Sequence, residues 1–349
     1  MIEVKDLTRV YGDHIAVDHI SFKINNGKIY GFLGPNGAGK STTMNMMAGC
    51  LAPTEGTVRI NGFDMFDEPL KAKRCIGYLP EIPPLYDEMT PYEYLSFVAE
   101  AKDVSYTRAQ RQVHEVMELV QIEQVKDRLI KHLSKGYRQR VGIAQTMLGN
   151  PDIIILDEPT VGLDPRQITE IRALIRRLGE RKTVIVSSHI LAEISAVCDH
   201  VLILSKGKLI ANAPIEELQS GFADRVQFCL SVRGDEQGVI DTLGAIEEIE
   251  SCTVERTREE GVVELTLIAT DAGDLRDRIF FALADRRYAL LSMERKDATL
   301  ESIFLSLTER ASEAEKSRGE GRVRSKLIPD ARERDGEYEI IDVKKGRER

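Results

Sequence analysis

Residues 34–42 read Gly34, Pro35, Asn36, Gly37, Ala38, Gly39, Lys40, Ser41 and Thr42, the G-x-x-x-x-G-K-[ST] spacing of a loop that cradles phosphate. Its glycines let the backbone curl round an anion, so that amide dipoles point inward. Lys40 adds a mobile cation for β- and γ-phosphates, and the Ser41 hydroxyl can ligate Mg²⁺. A plain Gly-rich turn between strand and helix is the alternative, and the Lys-Ser pair argues against it.

A second set of candidate groups lies downstream. Residues 153–156 are wholly apolar and of strand length, and they end in Asp157-Glu158, as expected of a buried parallel strand with acids at its carboxyl end. Buried carboxylates are costly without a cation. Beside a phosphate loop, Asp157 is therefore the expected Mg²⁺ partner and Glu158 the expected base for a water, with an incidental acid pair as the alternative. Residues 183–187 form another apolar run, ending at Ser188-His189; a lone histidine there is in isolation more often structural. In residues 133–140, Leu-Ser-Lys-Gly-Tyr-Arg-Gln-Arg, Ser134 is a natural N-cap and Gly136 leaves room for a ligand to approach the backbone. Taken alone, that octet reads first as a helix cap. Tyr11 lies where folding can bring it beside a nucleotide, to stack on adenine or else to pack on the core of its sheet.

Several elements must position these groups. Residues 2–24 alternate apolar and polar around Tyr11-Gly12, predicting two antiparallel strands joined by a turn. Residues 29–33 read as the strand before the phosphate loop, and the Met-rich, proline-free run 42–51 as the helix after it, its N-terminus pointing at the loop. Residues 57–61 and 75–79 are predicted strands. Thr90-Pro91 is a cap with a first-turn proline, followed by Tyr94, Leu95, Phe97 and Val98 on one face. Residues 107–120 carry Val113, Val116, Met117 and Val120 at helical spacing. These helices set apart a helical subdomain at about 88–145. The octet opens a helix to about 149, and Gly162-Leu163-Asp164-Pro165 makes a turn into the next.

Composition bounds the rest. A chain of 349 residues suggests about two domains. Its balance of 48 Lys and Arg against 57 Asp and Glu, 48 − 57 = −9, carries no general footprint for nucleic acid. Cys50, Cys75, Cys198, Cys229 and Cys252 lie far apart without C-x-x-C spacing, so they are expected as buried apolar residues in a reducing compartment. No basic-then-apolar leader and no run of about 18 apolar residues is present. The expectation is a cytoplasmic chain whose membrane role comes through a partner.

The phosphate loop 34–41, the octet 133–140, residues 153–158, residues 162–164 and His189, in that order, resemble the nucleotide-binding domain of ABC transporters, over about residues 1–215. The resemblance implies an α/β P-loop NTPase with an antiparallel β subdomain and the helical subdomain. It further implies ATP and Mg²⁺ as ligands, with Tyr11 on adenine, residues 34–42 on the phosphates, and Ser41, Asp157 and Glu81 at the metal. Lys40 and Glu158 become catalytic, Glu158 as general base, and His189 senses the γ-phosphate. Ser134 and Gly136 belong to a signature that closes on the other protomer's nucleotide, and Asp164 counts with the nucleotide-binding residues. Two departures stand out: Lys135 and Tyr137 replace a glycine and the glutamine of the usual Leu-Ser-Gly-Gly-Gln, and Glu81 stands at a position usually held by glutamine. Lys135 and Tyr137 bear on hydrolysis rate more than on the signature's role.

Beyond residue 215 the predicted order is strand 225–232, helix 236–243, strand 246–256, strand 262–269, helix 275–284 and strand 288–294, the split βαβ plan of a ferredoxin-like α+β domain at 222–308. A last helix from Thr299 carries Leu300, Ile303, Phe304 and Leu307 on one stripe. This part resembles the C-terminal extension of the drug-exporter, sodium-exporter and gliding-motility type of ABC ATPase. Residues 309–349 mix both charges densely, as a solvated tail does, with one short apolar run at 338–343. Together these readings give an ATPase subunit that powers transport, with export favoured, through a separate membrane permease. It pairs with itself or with a second ATPase subunit, at the cytoplasmic face of the membrane. The alternative is a soluble ABC ATPase acting on nucleic acid or ribosomes. A chromosome-maintenance type needs a long coiled coil between Lys40 and Ser134, and a ribosome-acting type usually carries two ATPase domains.

Overall fold

The structure, a computed structural model, describes residues 1–220, 225–254, 259, 261–270 and 274–297. Two long strands open the chain, β1 (Ile2–Tyr11) and β2 (His14–Ile24), paired antiparallel across the turn at Gly12. The buried β3 (Ile29–Leu33) leads into α1 (Lys40–Met47), and β4 (Glu55–Ile60), β5 (Phe63–Asp64), α2 (Pro69–Arg74) and β6 (Ile76–Leu79) follow. The helical stretch is α3 (Pro91–Ala101), α4 (Tyr106–Leu119) and α5 (Lys135–Met147). Strand and helix then alternate through β7 (Ile153–Leu156), α6 (Pro165–Gly179), β8 (Thr183–Ser188), α7 (Leu191–Val197) and β9 (His200–Ser205) to β10 (Lys208–Pro214) and α8 (Ile215–Ser220). The last described elements are β11 (Arg225–Arg233), α9 (Glu236–Gly244), β12 (Ile249–Val254), β13 (Val262–Thr270), α10 (Arg276–Asp285) and β14 (Ala289–Asp297).

Among the described residues the strands form three sheets, ordered β2-β1-β4-β5, β10-β9-β3-β8-β7-β6 and β12-β13-β11-β14. In the second, β9, β3, β8, β7 and β6 run parallel and β10 closes an antiparallel edge. Its strands are covered on both faces. Ile153 and Ile155 belong to one buried cluster with Phe32, Met44 and Val58, whereas Ile154 and Leu156 belong to another with Leu95, Ile143 and Leu174. A strand buried on both faces is apolar throughout, and each such Ile or Leu contributes about 1.5–3 kcal/mol. Because β3, β7 and β8 are parallel, the chain leaves all three at one edge of the sheet, and the loops 34–39, 157–164 and 189–190 gather there.

The third sheet realises the β-α-β-β-α-β plan. Val226, Phe228, Leu230 and Val232 of β11 alternate inward against Val239 and Leu243 of α9 and Ile279 and Leu283 of α10. β12 is shorter than the expected 246–256, because Ile246 closes the turn after α9 through its N–H to Leu243 O. Residues 255–258, the helix expected from Thr299 and the tail 309–349 lie outside the described residues.

Three other expectations are corrected. The helix after the phosphate loop begins at Lys40 rather than residue 42, since Gly39 at φ +100 turns straight into it, and it stops at Met47 before Gly49 at φ +67. Phe97 leaves the buried face of α3 that Tyr94 and Leu95 hold; it is 43% exposed and its ring sits 5.5 Å from that of Tyr86. Cys50 is exposed and the other four cysteines are only partly buried. A single cysteine has no periodic signal to place it.

Candidate functional site

The loop between β3 and α1 owes its shape to Gly37 and Gly39, at φ +80 and +100. A side chain at Gly39 would meet Ala16 O at 2.6 Å, so both the angle and the close approach require glycine. Lys40 opens α1 and turns back into the loop. Its Nζ donates to Gly34 O at 2.8 Å and to Pro35 O at 3.3 Å, and the residue is only 6% exposed.

From the end of β7, separated from β3 by β8, come Asp157 and Glu158. Asp157 Oδ1 accepts from Ser41 Oγ at 3.1 Å and from Ser187 Oγ at 2.6 Å. Ser187 Oγ in turn accepts from the Glu158 N–H at 2.7 Å. Glu158 has φ +47, a left-handed conformation that costs an L-residue about 1–2 kcal/mol. Strain held at the wall of a cleft points to use. Its Oε1 lies 3.4 Å from Lys40 Nζ and its Oε2 lies 3.0 Å from His189 Nδ1. An ionised carboxylate only accepts, so Nδ1 carries the hydrogen and Nε2 is left for another partner. These contacts offset the burial of Glu158.

Lys40, Glu158 and His189 share a cleft of about 520 Å³ with Tyr11, Glu81 and residues 36–42. Tyr11 is 46% exposed, with the Arg9 guanidinium 4.6 Å from its ring centre, so it is not a core aromatic. Gly34 and Pro35 contribute through the carbonyls that hold Lys40. His14, Ala16 and Val161 also line the cleft and were not expected; none has a motif or spacing of its own to mark it. Ser187 was missed as well, although a polar residue ending an apolar strand beside Asp157 is a usable signal.

Ser134, Gly136 and Asp164 do not line this cleft. Ser134 Oγ accepts from Tyr137 N–H at 3.5 Å, capping α5. Asp164 caps α6 through Gln167 N–H at 2.9 Å. At Gly136 an added Cβ would lie 2.7 Å from the Gln167 carboxamide, so the room expected there is taken by a flexible side chain.

Ser41 Oγ and Asp157 Oδ1 are two hard oxygens side by side at the phosphate loop. They fit Mg²⁺, which takes one or two protein oxygens and fills its shell with phosphate and water. Among the described residues no cluster of three His, Cys, Asp or Glu could hold a metal unaided.

The family profile described as ABC transporter matches residues 17–161. The bacitracin transport ATP-binding protein BcrA of Bacillus licheniformis is 40% identical over 233 residues, 66% of this chain and 75% of that protein. The linearmycin resistance ATP-binding protein LnrL of Bacillus subtilis is 30% identical over 312 residues, 89% of this chain and 99% of that one. A solved ATP-binding subunit of an ABC transporter superposes with a TM-score of 0.58 at 32% identity, covering 64% of this chain and 93% of its own. A dimeric ATP-binding cassette in a post-hydrolysis state, bound to ADP and Pi, gives 0.57 at 27% identity, covering 62% and 99%. The phosphate loop, the strained glutamate and these likenesses agree, and the chain belongs to the ATP-binding proteins of the ABC transporter family, which are ATPases.

Proposed function

We propose that this chain is the ATPase subunit of an exporter, closing as a dimer on two ATP molecules and opening after hydrolysis to move a separate membrane permease. The observation that carries the reading is the meeting of the phosphate loop, Lys40, Glu158 and His189 in one cleft. Tyr11 stacks on adenine. The amides of residues 34–42 and Lys40 hold the β- and γ-phosphates. Ser41 and Asp157, with Glu81 in the lining of the same cleft, would hold Mg²⁺, which when bound would draw negative charge from the phosphates. Glu158 takes a proton from the water whose oxygen bonds to the γ-phosphorus, and ADP leaves with the electrons of the broken bond. His189 donates from Nε2 to a γ-phosphate oxygen while Nδ1 donates to Glu158, which needs a hydrogen on both ring nitrogens.

Two features support the partners. Ser134 and Gly136 lie at a helix start outside their own chain's cleft, with only the flexible Gln167 side chain against Gly136, which suits action on the nucleotide of a second protomer, and the post-hydrolysis relative is a dimer. Directly after Glu81, Ile82 is 82% exposed, and Tyr86 and Phe97 are 50% and 43% exposed. Tyr94 shares its hydroxyl hydrogen between Pro84 O at 3.1 Å and Gln145 Oε1, fixing this segment to α3; burial pushes that hydroxyl up to about 12. An apolar, anchored patch next to the nucleotide cleft suits a protein partner. Relatives named for bacitracin transport and linearmycin resistance favour export. Among the described residues no helix is long and apolar enough to cross a membrane; in this reading the permease supplies the crossing and the chain sits on its cytoplasmic face.

The test is capture by a co-expressed permease. Ile82→Ser combined with Phe97→Ser should lose capture while the isolated subunit keeps its ATPase activity. Capture equal to that of the unaltered protein would contradict the permease assignment.

A further inference from the structure

Glu193 lies in the first turn of α7 and is 7% exposed. No role in the hydrolysis chemistry falls to it, yet three segments end on its carboxylate. Oε2 accepts from Thr160 Oγ1 at 2.5 Å and from Ser188 Oγ at 3.0 Å. Oε1 lies 3.8 Å from the Arg172 guanidinium of α6, whose Nε is buried without a hydrogen-bond partner among the described residues. Thr160 stands two residues after Glu158, in the loop where Val161 N–H donates to Glu158 O at 3.2 Å and Leu163 N–H to Thr160 O at 3.2 Å. Ser188 immediately precedes His189, and its Oγ also accepts from Ile190 N–H at 3.0 Å.

Burying a carboxylate costs several kcal/mol unless partners offset it. Two hydroxyls and a loosely placed guanidinium offset it only in part, so packing alone would be served better by an apolar residue. What the carboxylate does supply is a tie between the loop that carries Glu158 and the strand end that carries His189. Those two residues meet at 3.0 Å, and Glu158 is held at a backbone angle it does not favour. A single acceptor oxygen gripping both flanking segments fixes that separation.

We propose that Glu193 is a positioning residue for ATP hydrolysis, clamping Thr160 and Ser188 so that the Glu158 carboxylate and the His189 imidazole stay in register. This rests on Glu158 and His189 acting as described above. The test compares Thr160→Val, Glu193→Ala and the double variant with the full-length protein, measuring kcat, KM for MgATP and melting temperature. Glu158→Gln is run alongside. Thr160→Val removes only a hydroxyl and keeps the volume, so it reports even if Glu193→Ala does not fold. We expect Thr160→Val to lower kcat about tenfold, as a small misplacement of catalytic groups does, with KM unchanged, and the double variant to be no slower than Glu193→Ala. An unchanged kcat in Thr160→Val overturns the proposal, as does a KM that rises with the fall in kcat or losses that multiply in the double variant. If instead Glu158→Gln turns over normally, the assignment of the base fails, and the clamp fails with it.

Discussion

Glu158 is gripped at four atoms by four different residues: its N–H by Ser187, its carbonyl oxygen by Val161, Oε1 by Lys40 and Oε2 by His189. Glu158→Gln preserves size and most of this grip but removes the basicity. It should bind ATP about as well as the unaltered protein and lower kcat by about a hundredfold or more, the usual scale of general-base catalysis; single-turnover kinetics with a filter-binding assay separates the two. Ser187 acts at one remove. Its Oγ accepts from Glu158 N–H and donates to Asp157 Oδ1, so Ser187→Ala leaves a buried N–H unpaired at a cost of about 1–3 kcal/mol. Chemical denaturation should show that loss, and ATP turnover should fall with it because both acids lose a fixed partner.

At the scale of elements, caps explain why so much was legible in advance. Thr90 Oγ1 accepts from Glu93 N–H at 3.3 Å, and Glu93 Oε2 accepts from Thr90 N–H at 2.9 Å, a reciprocal pair that the sequence Thr-Pro-Tyr-Glu announces. Thr90→Ala should cost about 1 kcal/mol of stability, seen as a lower melting temperature with kcat unchanged. Ser134 was legible as a helix start for the same reason, the turn 162–165 marked the start of α6 through its proline rather than through Asp164 as a cap, and residues 153–156 were legible because a strand buried on both faces leaves a solid apolar run. The stretch from 190 to 214 went unread apart from Cys198. α7 is only seven residues long, and β10 is half-buried nearly throughout, so neither shows a clear period. α2 and β5 are shorter still, and Phe97 strayed because an apolar residue beside a helical stripe can serve a neighbouring aromatic as readily as the core. The close contact of Glu158 with Lys40 and His189 could not be read at all, since it joins three loops across a parallel sheet.

For the whole molecule, the central claim is that each ATP is hydrolysed between two chains, Lys40 coming from one and Ser134 with Gly136 from the other. Lys40→Ala removes the cation that faces the phosphates, and its ATP affinity should fall about tenfold or more, the worth of a hydrogen bond to a charged group. Gly136→Asp puts a carboxylate where the partner's γ-phosphate would sit. The Gln167 side chain, being flexible, can move aside for it. Both variants should be folded and inactive alone. In a mixed dimer one site carries both defects and the other carries neither. Mixing the two inactive proteins, with crosslinking to measure the share of mixed dimers, is therefore the most direct test. The composite site predicts that ATPase activity returns in proportion to that share, whereas mixed dimers in quantity with activity still at zero, repeated in a single-chain fusion bearing one wholly intact site, would contradict it.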